Sequence, residues 1–307
     1  MPSFSAPGKI ILFGEHAVVF GEAAIAVAIN LRTRAAVSGA EENRLNGVPV
    51  TNGANTYPYH AFSLTGASGK SATVTSSLPP GGGMGSSAAL STSLVAALNN
   101  DDDAARAAAL AFRVELAAQG RASPLDTSTS AHGSGVFISR NPVPSEIWTV
   151  SGSNITWHIG HAEVRRMVIV AGYTGTGAAT GPMVERVRRL WTKYPNAKEA
   201  VSEIGTISRE AMGLLRSGDM VALGRLMDRN QRLLSLLGVS TKDIDRLIDA
   251  VRPFSFGAKL TGAGGGGCII ALTDKPERAA EAIAARGGIP FVCTTGEEGL
   301  RRESSES

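Results

Sequence analysis

Residues 79–89 read PPGGGMGSSAA, a stretch nearly stripped of side chains between an alternating segment and an apolar one with helical spacing. Behind Pro79 and Pro80, the glycines Gly81, Gly82, Gly83 and Gly85, interrupted by Met84, let the backbone turn tightly and approach a ligand that a Cβ would obstruct. Ser86, Ser87, Ala88 and Ala89 then open a helix that continues through Leu90, Leu94 and Leu98. The unpaired N–H groups of such a first turn sum to roughly +0.5 charge, and phosphate binds well there. A glycine cluster before a helix is also read as a flexible loop with a serine N-cap, and these residues by themselves leave both readings open.

Two other nucleotide patterns fare worse. The run from Gly66 through Lys70 and Ser71 ends like a Walker loop, but Leu64 stands where that loop requires glycine. Gly262 to Gly267 fits G-x-G-x-x-G, yet a strand pattern follows it instead of a helix, which argues against a dinucleotide fold.

The elements that must position these segments form an α+β pattern. Residues 9–13, 24–29, 32–37 and 71–77 are apolar or alternating and read as strands, with a short strand possible at 48–51 and a helical stub at 61–64. Residues 99–103 make a turn and N-cap before a helix over 104–119, Pro124 suits a new first turn, and 135–138, 146–150, 155–158 and 168–171 read as strands. Residues 180–253 carry four helical segments, divided near Pro195, Gly218 and Gly238. Strands at 258–260, 268–272 and 290–294 follow, with a helix near 276–286 and a charged tail from Glu297 that is expected to fray. With 307 residues and 43% hydrophobic content, the chain exceeds the roughly 250–300 residues at which single cores stop growing. A β-rich N-terminal lobe and a helix-plus-sheet C-terminal lobe, meeting at a cleft, are expected.

Composition narrows the partners. The net charge of +3 and 5% aromatic content offer neither a phosphate-tracking face nor base-stacking platforms, so nucleic acid is not expected. Cys268 and Cys293 are too few for a disulfide framework and sit in strand-like runs, as small apolar residues of a reducing compartment do. The first residues lack a targeting pattern and no apolar run reaches membrane-spanning length, so a soluble, cytoplasmic protein without a membrane partner is expected.

Three segments far apart now share one explanation: APGKIILFGEHAVVFGE at 6–22, the loop at 79–89, and KLTGAGGGGCII at 259–270. Together they resemble the GHMP small-molecule kinase superfamily, in order and over the whole chain. The stretch from Gly14 through Glu15, His16, Ala17 and Val18 to Val19, after Lys9, is similar to the branch that phosphorylates mevalonate, and the segment from Ala122 to Asp126 to its archaeal form. The resemblance implies a two-lobed GHMP kinase fold, with lobes at 1–165 and 166–307, the second pairing helices with an antiparallel sheet. It implies transfer of the γ-phosphoryl group of ATP to the 5-hydroxyl of (R)-mevalonate in isoprenoid biosynthesis, with Mg²⁺, in a homodimer. Such a transfer needs the phosphates held, their charge neutralised and the hydroxyl aligned beside a carboxylate.

By the same resemblance, residues 79–89 wrap the ATP phosphates, and the Ser87 hydroxyl and Glu115 carboxylate hold Mg²⁺, an oxygen set suited to a hard cation. Asp126 is the catalytic carboxylate that accepts or orients the hydroxyl proton, and Lys9 pairs with it and eases charge on the phosphoryl oxygens. Glu15 and His16 are substrate contacts, His16 donating toward a carboxylate or hydroxyl. Thr180 lies near the transferred group, and Thr261 with Gly262, Ala263, Gly264 and the glycines to Gly267 forms the second backbone wall. Taken singly, Glu115 is an ordinary helical glutamate, Asp126 a turn aspartate, Lys9 a solvated lysine and His16 a core histidine.

Departures from the family pattern are Met84 for leucine, Gly181 where lysine is common after the threonine, and His132-Gly133-Ser134; His132 is expected to be structural. The short stub at 61–64 implies a more open nucleotide end. The alternatives are a kinase for phosphomevalonate or homoserine, and a non-catalytic ligand sensor on the same fold.

Overall fold

The computed structural model describes residues 1–53, 56–79, 81–120, 122–143, 145–152, 155–177 and 180–304. Pro80, counted above with the phosphate loop, lies outside the described residues. The first strand, β1 (Ser3–Phe13), begins well before the apolar run, because Ser3, Phe4, Ser5 and Ala6 are buried too. Where two strands were expected, a single one, β2 (Ala24–Gly39), runs through Asn30 and Leu31. The polar break there is one of side chains alone. Asn30 accepts from the backbone N–H of Thr294, so polarity at this point serves a later segment and leaves the strand continuous.

A two-residue hairpin, β3 (Arg44–Leu45) and β4 (Val48–Pro49), turns at Asn46 and Gly47, both at positive φ, as an Asn-Gly turn requires. The expected stub is a ten-residue helix, α1 (Thr56–Thr65). Its aromatic start hides the period, but Pro58 sits in the first turn, where a missing N–H costs nothing, and Pro58, Ala61 and Phe62 are buried. The more open nucleotide end inferred from a short stub is therefore withdrawn. Then follow β5 (Lys70–Ser76), α2 (Ser86–Asn99), α3 (Ala104–Gln119), α4 (Leu125–His132), β6 (Gly135–Ser139), β7 (Glu146–Gly152), β8 (Ile155–Ala162) and β9 (Val168–Tyr173). The remaining elements are α5 (Thr180–Lys193), α6 (Pro195–Ser217), α7 (Met220–Leu236), α8 (Lys242–Val251), β10 (Gly257–Thr261), β11 (Cys268–Leu272), α9 (Pro276–Ala285), β12 (Ile289–Thr294) and β13 (Arg301–Arg302). Helix starts obey simple chemistry: Asp103, Asp219 and Thr241 accept from backbone N–H groups three residues on.

Among the described residues, nine strands form one sheet in which β2 is the spine. It pairs antiparallel with β1 on one side, and on the other with β6 through Ala24–Val27 and with β5 through Thr33–Gly39. The second sheet is antiparallel, in the order β10-β11-β9-β12. The largest core cluster crosses between the sheets, joining Ile10, Phe13, Ile25 and Met84 to Ile169, Ile207, Met227 and Ile270. Both thiols are buried in it or against it, and burial pushes each up to about 12.

The described part of the tail packs on the first sheet instead of fraying as expected. β13 pairs with β1, Phe4 opposite Arg302, and the Arg32 guanidinium donates to the carbonyls of Ser5, Glu298 and Gly299. No described helix is long and apolar enough to cross a membrane.

α7 reaches β10 through a pair of glycines. A Cβ on Gly224 would stand 2.1 Å from the Phe256 carbonyl, whereas one on Gly213 in α6 would meet nothing within 4 Å. Thermal unfolding should therefore show Gly224→Ala costing about 1–3 kcal/mol by overpacking. Gly213→Ala should gain about 0.5–1 kcal/mol by lowering the entropy of the unfolded chain.

Candidate active site at the glycine loops

Lys9 lies in β1 just past an irregularity in the pairing with β2, and its backbone N–H donates to the Met84 carbonyl at 2.9 Å, stitching the strand to the phosphate loop. The loop can come this close because Gly85 has no side chain: at φ 77° a Cβ there would sit 2.8 Å from Lys9 Cγ. Gly85 is also the N-cap of α2, which corrects the reading of a serine cap. Ser86 is the first helical residue, and the Gly85 cap has no side chain to offer the N–H groups of the first turn. Met84 is fully buried beneath the loop.

The Lys9 ammonium is 2.9 Å from Asp126 Oδ2 and 3.4 Å from the Gly83 carbonyl. Asp126 is in the first turn of α4, behind Pro124, and its side chain is 29% exposed while that of Lys9 is 3% exposed, so the pair opens toward solvent on the carboxylate side. Ser87 donates to Glu115 Oε1 at 2.7 Å. Burial pushes the Glu115 carboxyl up to about 7, the negative charge of Asp126 adds to this, and the Ser87 hydrogen bond and Lys9 charge oppose it. A buried carboxylate facing a hydroxyl and a second carboxylate is short of positive charge.

The third glycine segment closes the group. Gly83 faces the Thr261 carbonyl, which a Cβ would meet at 3.4 Å, and a Cβ on Gly262 would meet Gly83 Cα at 3.7 Å. Thr261 Oγ1 donates to the Ile11 carbonyl at 3.0 Å, and His16 Nε2 donates to the Ala263 carbonyl at 2.8 Å. The Val239 carbonyl accepts from Gly265 N–H beside Gly264, and the Thr176 carbonyl accepts from Gly267 N–H.

One expected contact is taken up by the protein itself. Glu15 is 1% exposed with both oxygens engaged by protein, Oε1 by the Lys259 ammonium and Oε2 by Asn230 Nδ2 at 3.4 Å, which leaves it a support in place of a substrate contact. Thr180 is the first residue of α5 and is exposed, as is Gly181; three residues before it, a Cβ on Gly177 would meet the Gly81 carbonyl at 3.5 Å, so the chain leading to α5 passes beside the phosphate loop. His132 at the end of α4 pairs with His161 at 2.9 Å and packs edge-on against Trp148, the structural role expected of it.

Lys259, Asn230 and Tyr57 were not anticipated. Lys259 had a signal, a lysine within an otherwise apolar strand. Asn230 had a weaker one, an amide on the apolar face of a helix. Tyr57, half-buried and with its hydroxyl pushed up by burial and then by the Glu115 charge, lies in a stretch not read as helix.

Residues 55–134 match the model of the GHMP kinases N terminal domain, and residues 211–288 that of GHMP kinases C terminal. Proteins of Thermococcus onnurineus and Pyrococcus abyssi are each 34% identical to this chain, over 97% of both sequences. The chain belongs to the GHMP kinase family and is a kinase. Both of those relatives are named mevalonate kinase, and the crystal structure of the Methanococcus jannaschii mevalonate kinase aligns with a TM-score of 0.78 at 27% identity, covering 96% of this chain and 98% of that one.

Two imidazoles are held below the ordinary histidine value: His16 by burial and then the Lys259 charge, against the pull of the Ala263 hydrogen bond, and His132 by burial and then His161. Unfolding frees both to take protons, so their contribution to stability is intact above about pH 6.5 and is lost as pH falls through that value. Thermal melts should show the midpoint falling between about pH 7 and 5.5, and falling less steeply in His132→Asn.

Proposed function

We propose that this kinase transfers the γ-phosphoryl group of ATP to the 5-hydroxyl of (R)-mevalonate, giving 5-phosphomevalonate. The observation that carries this reading is the Lys9–Asp126 pair at the foot of a glycine loop that leads into an uncapped helix start. The identity to relatives named mevalonate kinase supports the choice of alcohol.

The loop and the first turn of α2 offer backbone N–H groups to the phosphates. Asp126, open to the cleft, orients the substrate hydroxyl and takes its proton as the oxygen attacks phosphorus. Lys9 holds that carboxylate in place from β1 and sets a positive charge between it and the loop, where charge on the phosphoryl oxygens must be met. Ser87 and Glu115 fit a magnesium ion: both give oxygen, Glu115 lacks a dedicated cationic partner, and such an ion keeps its other positions for water and phosphate. When bound, magnesium neutralises phosphate charge. The reading includes lobes at 1–165 and 166–307, supported by the change of sheet between Ala162 and Val168.

A coupled assay should show ADP release that depends on mevalonate, with phosphomevalonate and homoserine turned over poorly; the reverse ranking removes the substrate assignment. Asp126→Asn should bind ATP as the parent does and lose about 10²–10⁴-fold in kcat. A kcat near that of the parent excludes Asp126 as the base.

A further inference from the structure

Lys259 is fully buried in a strand otherwise made of Gly257, Ala258, Leu260 and Thr261. An apolar side chain would fill that position without the cost of desolvating an ammonium, so the charge calls for a reason other than packing. It bonds to Glu15 Oε1 and donates to the Leu260 carbonyl at 2.6 Å. Asn230, on α7, donates to the other oxygen of Glu15. A carboxylate just beyond the end of β1 is thereby gripped by β10 and α7 together.

The residue it steadies is the next one. His16 adopts φ 60° and ψ −44°, a region that disfavours residues with a Cβ and persists where its surroundings impose it. Its Nε2 faces a carbonyl, an acceptor only, so Nε2 carries the proton. In the neutral ring Nδ1 is then a lone-pair acceptor, and Nδ1 is buried without a partner. Asn230 Oδ1 is a second buried acceptor without one. Such acceptors are satisfied by an O–H and gain nothing from a carboxylate, which corrects the expectation that His16 donates to the substrate.

We propose that Lys259 is a positioning residue for substrate recognition: through Glu15 it holds the His16 turn so that Nδ1, buried and without a partner in the protein, is kept as the acceptor for a substrate hydroxyl. This rests on the proposed transfer to mevalonate and on His16 being among the substrate contacts that the resemblance implies. Burial and the Lys259 charge favour the neutral ring, in agreement with the geometry.

The test compares the parent with Glu15→Gln/Lys259→Met, which removes both buried charges together and so avoids stranding one of them. Long-range ¹H–¹⁵N spectra of histidine-labelled protein, with His16 assigned by its loss in His16→Gln, report the ring without any substrate. The parent should show His16 protonated at Nε2 alone, and the double variant a mixture of tautomers. In kinetics the double variant should raise the KM for mevalonate about tenfold, the loss of one hydrogen bond, and leave the KM for ATP within about twofold. A ring protonated at Nδ1 in the parent overturns the proposal, as does a folded double variant with the parent's ring signals and mevalonate KM. If the parent turns over another alcohol in preference, the substrate reading fails alone, and the ring spectra still decide the role of Lys259.

Discussion

A carboxylate and an ammonium withdrawn wholly from water, Glu15 and Lys259, are the constraint around which the two sheets are arranged. Each charge is costly to bury, and the cost is offset only while the partners stay in contact with their further hydrogen bonds made. The end of β1 and the middle of β10 must therefore keep one relative position. That position also fixes Lys9, six residues before Glu15, against Thr261 and the glycines that follow β10. The apolar core alone would not hold this register so sharply, since apolar contacts are non-directional and tolerate sliding.

Around the phosphate loop the electrostatics run the other way. One ammonium, Lys9, stands among Asp126 and the buried Glu115, so the protein supplies fewer cations than carboxylates there. The imbalance suits a site whose remaining positive charge arrives with the nucleotide. It also explains why the loop is built from backbone: a lysine or arginine on it would neutralise Glu115 and fill the space a phosphate needs.

Much of this was legible in the residues, for physical reasons that differ between segments. The helices α5 to α9 carry a 3.6-residue period punctuated by Pro195, Gly218 and Gly238, and local signals suffice for such elements. The three glycine segments were legible as segments, but their convergence is a long-range property, seen only where Gly83 meets Thr261 and His16 meets Ala263. β2 reads as two strands because Asn30 and Arg32 bond to the end of β12 and to the tail, partners about 265 residues away that no local window contains. α1 reads as a stub because Tyr57 and Pro58 break the propensity pattern while packing inward. Lys259 was passed over as part of a motif, since the pairing that gives it meaning comes from the far end of the chain.

The pairing of β13 with β1 sets a schedule for the molecule's assembly. β1 is made before the other strands of its sheet, yet the partner on its outer edge, Arg301 and Arg302, is synthesised nearly three hundred residues later. Until then a strand rich in buried apolar residues keeps an open edge, the kind of surface on which chains mispair. Contacts of such sequence separation also slow folding, because a long loop must close before they form. The strand that carries Lys9 is thus sealed last, when the tail is laid down beside it.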